Sequence, residues 1–217
     1  MIVGLTILSK YSKFHSKDYI FVGLTWIGLS TPWMHGAIAF VLLFFNIILD
    51  EAIRFIIGFA FVPIIAVLWL ITFTDFMYTD KKKLIVGLYT IIAIIVEILF
   101  FIFLFTDRVN MIGYFERTFS AVYRPFYRFT ILFYLITAVI TFLLFANQSI
   151  KADDPELKLK GKFLVIAFLT YTACAILDSF FLFQPVIVVL VRILLVSSAL
   201  EFYLGWIMPD KLKNKLI

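Results

Sequence analysis

The stretch KKKLIVGLYTIIAIIVEILFFIFLFTDR, residues 81–108, decides the fold class of this chain. Three lysines lead into an unbroken apolar run from Leu84 to Phe105, and the one carboxylate in that run is Glu97. A hydrocarbon core of about 30 Å needs roughly 20 apolar residues at a rise of about 1.5 Å per residue, so the run is long enough to cross a bilayer as one α-helix. A membrane strand would be shorter and would alternate in polarity. A continuous run satisfies its backbone hydrogen bonds within itself only as a helix.

Working outward, five further runs of the same kind lie near 19–46, 52–77, 126–147, 162–183 and 185–207, making six spans with 84–105. Hydrophobic residues make up 64% of the chain and charged ones 15%, and the mean hydropathy of +1.07 lies outside the range of soluble domains. With 27 Phe and 10 Tyr among 217 residues, most side-chain surface must face lipid or other helices. This predicts one transmembrane helical domain over residues 1–217. The expected class is all-α: a polytopic helical membrane bundle of six full spans with an N-terminal apolar stub. Ser30, Thr31 and Pro32 interrupt the first run, which predicts a kinked helix or a helix preceded by an interfacial segment. The stub MIVGLTILS, residues 1–9, is too short to span and has neither the basic leader nor the cleavage site of a secretory signal. It reads as an interfacial N-terminus, or as the last turns of a helix whose beginning is missing, which would make seven spans.

Charge orients the bundle. Lys10, Lys13 and Lys17 precede the first span, the next connection has no basic residue, and Lys81, Lys82 and Lys83 follow the second. Lys151, Lys158, Lys160 and Lys162 flank the loop before the fifth span, the turn at Gln184 and Pro185 has none, and Lys211, Lys213 and Lys215 close the chain. Every second loop is basic, so the positive-inside rule puts both termini and the Lys81 and Lys151 loops on the cytoplasmic side. The exception is 107–128, where Arg108, Arg117, Arg124 and Arg128 sit on the outer side, offset in part by Asp107 and Glu116. A net charge of +5 is accounted for by these loops and implies no nucleic-acid partner. The expected partners are the lipid bilayer and a cytoplasmic signalling protein docked on the basic inner loops.

Polar residues inside the spans mark where a site would lie. Glu116, Ser120, Tyr123, Tyr127, Thr130, Tyr134, Thr137 and Thr141 recur at spacings of four and three, which places them on one helical face. One reading is a helix interface of residues that tolerate close packing; the other is a polar wall lining a crevice open to the outside. Pro125 starts or kinks this helix. A charge at the bilayer centre costs at least about 2.5 kcal/mol, so Glu97, Asp178 and Arg192 call for partners or a cavity. At about 1.5 Å per residue all three fall roughly 8 to 12 Å below the outer surface. Small residues accompany both acids, Ala93 and Thr90 beside Glu97 and Ala167, Thr170 and Cys174 beside Asp178. The short turn between the last two spans makes Asp178 and Arg192 the expected ion pair and leaves Glu97 as the surplus carboxylate. The candidate ligand-binding residues are thus Glu97, Asp178, Arg192, Tyr127, Thr130, Tyr134 and Thr137.

Other charges are explained by position: Asp50, Glu51 and Arg54 at the outer start of the second span, Asp75 and Asp80 at its inner end. Glu201 shares a face with Ser197, Ser198 and Gly205, about half a turn from Arg192, and snorkels inward or caps a helix contact. The lone Cys174 reads as a packed core thiol. His15 and His35 read as polar filler, so no metal site is expected, and neither a phosphate loop, a Ser elbow nor HExxH is present. The chain is read as a non-enzyme without a cofactor. Thr172, Ala173 and Cys174 resemble the tripeptide at the nucleophile of archaeosortases, membrane transpeptidases that pair their Cys with further basic residues on later helices. Here only Arg192 follows within the membrane.

DDPELKLKGKF at 153–163, VRILLVSSALEFYLGW at 191–206 and the stop at Pro209 with its short basic tail resemble uncharacterised archaeal seven-helix membrane proteins. More distantly they resemble the seven-transmembrane N-terminal sensor region of prokaryotic histidine kinases. The likeness implies a prokaryotic cell membrane and a sensor or receptor-like bundle binding a small ligand or lipid in an outward-facing crevice, although no kinase domain follows the last span. The alternative class is a small-solute or proton-coupled transporter or channel subunit, whose intramembrane acids would handle a proton or cation.

Overall fold

The structure is a computed structural model that describes the backbone of residues 1–117, 120–181 and 185–216, and the side chains of these apart from 117, 120, 178–181, 185, 211, 215 and 216. The chain forms two compact units, Met1–Thr137 and Ala138–Ile217. Among the described residues, five helices are long and apolar enough to cross a membrane, or six if one bent pair is a single span. They are compatible with an integral membrane protein and with the expected helical bundle.

In the first unit, α1 (Ile2–Ser9), α2 (Tyr11–Phe14) and α3 (Asp18–Leu29) double back on themselves, turning at His15 with φ 53°. The apolar stub α1 packs along α3 at a glycine crossing. A Cβ placed on Gly4 would lie 2.8 Å from the Gly23 carbonyl oxygen, and one on Gly23 would lie 2.9 Å from the Gly4 oxygen. Bare backbones at both positions let the helices meet, as small residues do in membrane interfaces. Ile7 beside this crossing is fully buried.

Helix α3 and α4 (Thr31–Leu43) form the pair bent by 51°. Pro32 brings no N–H to the first turn of α4, and the hydroxyls of Ser30 and Thr31 donate to the oxygens of Ile27 and Gly28 at 2.6 and 2.8 Å. The bend falls where the Ser-Thr-Pro sequence offered a kinked helix or a helix preceded by an interfacial segment. Asp50 caps α5 (Glu51–Phe59) by accepting from the backbone N–H groups of Ala52 and Ile53, and α6 (Val62–Met77) continues the span after Pro63. Helix α7 (Lys82–Thr106) holds the opening stretch of sequence. It leaves Leu84, Leu88, Ile91, Ile95, Ile98, Ile102 and Phe105 exposed along one face, to which a bilayer would supply the solvent, and buries Ala93, Phe100 and Leu104 on another. At its base Lys82 pairs with Asp75 at 2.6 Å.

After the short α8 (Arg108–Met111) the chain departs from expectation. Gly113–Arg117 (β1) and Ser120–Tyr123 (β2) pair as an antiparallel hairpin, with a register shift between Phe115 and Arg117. Glu116, Ser120 and Tyr123 are therefore not on a helix, and the polar stripe is five positions long instead of eight. The long helix α9 starts at Pro125 and runs to Ile150. Proline suits the first turn of a helix and disfavours helical geometry in the residue before it, so the stripe stops being helical at Arg124. Gly113, at φ 143°, accepts a conformation L side chains rarely adopt, and a Cβ there would collide with the Val122 carbonyl.

The hairpin seats Phe115 in an aromatic cluster with Phe55, Phe59, Phe100 and Tyr127. His35, buried, packs its ring 5.6 Å from that of Phe59 and 5.2 Å from that of Phe115, where Gly58 leaves space for it. Arg54 is buried under the hairpin with its guanidinium over the Phe115 ring, and Glu51 pairs with Arg108. These charges read as interfacial in the sequence; in the fold they tie α5 to the hairpin and α8.

The second unit takes the rest of α9, α10 (Pro155–Phe181), α11 (Pro185–Trp206) and α12 (Asp210–Leu216). Helices α10 and α11 pack along each other. Ser198 donates to the Ala167 oxygen at 2.9 Å, the Leu164 side chain fills the space at Gly205, and buried Cys174 directs its thiol at the Val191 oxygen, 3.7 Å away. Phe142 stacks on Phe168, whose ring meets Phe202 edge-on. Glu156 binds Lys160 one turn on, at 2.7 Å, and Lys213 of α12, whose amine is held above the usual lysine range by that hydrogen bond.

Candidate functional site

Four contacts fix α7 antiparallel to the first half of α9. The rings of Phe103 and Phe126 meet edge-on at 4.9 Å, Phe100 meets Tyr127 at 5.8 Å, Tyr89 stacks on Phe133 at 5.7 Å, and the Tyr89 hydroxyl lies 3.0 Å from the Thr137 hydroxyl. Glu97 falls between the levels set by these pairs. Helical side chains lean toward the N-terminus of their own helix, so on antiparallel helices Glu97 and Tyr134 lean toward each other. Small, buried Ala93 lies one turn from Glu97 on α7.

This interface holds three oxygens that are buried and have no hydrogen-bond partner among the described residues: Glu97 Oε1, Tyr127 OH and Tyr134 OH. Both tyrosines are almost wholly enclosed, at 3% and 2% exposure, and Glu97 is half-buried. Leaving such a group unpaired costs about 1–3 kcal/mol, and most buried polar atoms in native proteins do find partners. Glu97, Tyr127 and Thr130 line a recess whose other walls include Phe59, Val62, Pro63 and Phe126. The space holds about one water molecule. Thr130 donates to the Phe126 oxygen within its helix, so its donor is satisfied. No Lys, Arg or His lines the recess among the described residues.

Of the candidate residues, Glu97, Tyr127, Thr130, Tyr134 and Thr137 thus share one helix interface in the first unit. Asp178 and Arg192 are on α10 and α11 of the second unit; Arg192 is half-buried, and the expected ion pair rests on an Asp178 side chain outside the described residues. Of the two readings of the stripe, a helix interface or the wall of an open crevice, Tyr127 fits the first: it is packed against Phe55, Phe59, Phe100 and Tyr123, with ring centroids 5.2 to 6.3 Å away. Also in the second unit, Ser197 donates to Glu201 Oε1 at 2.7 Å while Oε2 is buried without a partner among the described residues.

Sequence reading missed Tyr89. The signal was present as Tyr89, Ala93 and Glu97 at successive spacings of four, but Thr90 drew attention to the neighbouring face. Thr141, the last of the stripe, is buried in the second unit's part of α9. No family model, no curated protein and no solved structure matches this chain.

Proposed function

We propose that this chain is an integral membrane protein that handles a proton through Glu97, as a proton-coupled transporter or channel subunit. The observation behind this reading is the set of three unpartnered oxygens, one carboxyl and two phenols, at one apolar helix interface with a recess for about one water. A charged carboxylate at membrane depth costs at least about 2.5 kcal/mol, and taking up a proton removes that cost. Phenols both donate and accept, so Tyr127 and Tyr134 suit either state of the acid. A solute of many atoms does not fit the recess.

The second reading is the sensor, a bundle whose site reports to a cytoplasmic partner docked on the lysine loops. The aromatic packing around Tyr127 interrupts a polar path on the hairpin side, which counts against conduction and equally against a crevice open to the outside. Proton flux separates the two. In liposomes holding the purified full chain and a pH-sensitive dye, transport predicts acidification under a potassium diffusion potential that is lost in Glu97→Gln. Flux in folded Glu97→Gln equal to wild type ends the role of Glu97. Wild-type flux no greater than that of empty liposomes, with Glu97 still titrating, leaves the sensor.

A further inference from the structure

The apolar run of α5 and α6 is interrupted where it meets the recess. Helix α5 ends at Phe59, α6 begins at Val62, and Pro63 follows in its first turn. Proline has no N–H for the oxygen four residues before it, here that of Phe59. Among the described residues no backbone N–H donates to that oxygen. Phe59, Val62 and Pro63 all line the recess that Glu97, Tyr127 and Thr130 share. We infer that this recess is a binding site for a sodium ion, which competes with the proton for Glu97. The inference rests on the proton-handling reading of Glu97 and adds a second occupant of the same site.

The donor set is made of hard oxygens, the ligands that hard cations take. Glu97 Oε1 and the Tyr127 hydroxyl oxygen are buried without a partner among the described residues, Tyr127 at 3% exposure. Thr130 gives its one proton to the Phe126 oxygen and keeps lone pairs for a cation. The Phe59 oxygen stands at the C-terminal end of α5, where the helix dipole is negative and favours positive charge. Carbonyls freed at interrupted membrane helices coordinate sodium in the same way.

Charge and size select the ion. No Lys, Arg or His lines the recess among the described residues, so an ionised Glu97 has no counter-charge there from the chain. A monovalent cation neutralises it as a proton does, whereas a divalent one would leave a net positive charge at membrane depth. Space for about one water suits a sodium ion stripped of its hydration shell and is too tight for potassium. The titratable groups within electrostatic reach of Glu97 are the phenols of Tyr127 and Tyr134 from α9, and neither supplies positive charge. Phe59, Val62 and Pro63 from α5 and α6 carry no titratable group. Each sodium bound releases the carboxyl proton to solvent, so the net charge of the site stays the same.

Infrared spectroscopy on the full chain in lipid discs tests this, following the carbonyl stretch of protonated Glu97, identified by its absence in Glu97→Gln. At a pH where the band is half developed, replacing choline chloride with sodium chloride at constant ionic strength is expected to shrink it. Potassium chloride at the same concentration is expected to leave it. Tyr127→Phe keeps the ring and removes one ligand, and Pro63→Ala restores an N–H for the Phe59 oxygen. Each is expected to raise the sodium concentration required by about tenfold or more, the scale of one lost contact to a charged group. A band that responds to sodium no more than to choline or potassium, or a wild-type sodium response in both variants, overturns the sodium site while Glu97 still titrates. A wild-type spectrum without the Glu97 band at any pH in choline chloride overturns the site and the proton-handling reading together.

Discussion

The guanidinium of Arg54 lies 3.6 Å from the centroid of the Phe115 ring, joining the start of one apolar helix to the first strand of the hairpin. A cation over an aromatic face contributes about 0.5 to 2 kcal/mol, and Phe115 also fills the cluster around Phe55 and Phe59. Phe115→Ala is expected to destabilise the chain by about 3 kcal/mol, and Phe115→Leu by clearly less. Thermal unfolding in one detergent measures both. Equal midpoints for Phe115→Ala and wild type would mean that the hairpin is not anchored by this ring.

The crossing of α1 and α3 has a sharper steric limit. Gly4→Leu and Gly23→Leu must separate the two helices and are expected to lower the unfolding midpoint. Gly87→Ala, where nothing lies within 4 Å, is expected to gain about 0.5 to 1 kcal/mol from helix propensity alone. A Gly23→Leu chain as stable as Gly87→Ala would refute the close crossing.

Tyrosines of the α7 and α9 interface should divide by partner. Tyr127→Phe and Tyr134→Phe remove buried oxygens without partners and are expected to leave stability unchanged or raise it by about 1 kcal/mol. Tyr89→Phe loses its bond to Thr137 and is expected to cost about 1 kcal/mol. If all three changes destabilise alike, the two orphaned phenols are structural.

Sidedness has its own test, since Cys174, the single cysteine of the sequence, is buried. With the lysine loops inside, Asn110→Cys should react with an impermeant maleimide in intact cells, and Thr79→Cys only after permeabilisation. The reverse pattern inverts the orientation.

The tail helix α12 should be pH-dependent. The Glu156 bond holds the Lys213 amine above the usual lysine range, so this contact is fully present below that range and is lost as pH rises through the raised value. Protection of the amides over 210–216, measured against the exchange rate of the unstructured peptide at the same pH, is therefore expected to hold through neutral pH and to fall only beyond about 10.4, the ordinary lysine value. Glu156→Gln should lower it already at neutral pH. Identical protection in the two chains would remove the role of Glu156.

Much of the architecture was legible because a membrane helix must be long and apolar throughout, a signal that 81–108 carries in full. The bend was legible too, since Ser30, Thr31 and Pro32 combine a missing donor with hydroxyls able to serve the freed carbonyls. The hairpin was not, because Glu116, Ser120 and Tyr123 continue the helical spacing of Tyr127 and Thr130 by coincidence of number, and only Gly113 and Pro125 mark the change of backbone. Glu97 stood out by charge, and Tyr127 and Tyr134 by their shared face. Tyr89 did not, because its role depends on which helix lies opposite, and one helix's periodicity holds no information about its neighbour.

The break at Ser30 also bears on membrane thickness. Laid straight, α3 and α4 would extend about 38 Å at 1.5 Å per residue, well beyond a hydrocarbon layer of about 30 Å. Counted as one span bent by 51°, their end-to-end reach falls to about 34 Å, and such a span would fit with less tilt and less stretching of the surrounding lipid. In a thin membrane the kink relieves hydrophobic mismatch, and a chain straightened there would be drawn toward thicker bilayers.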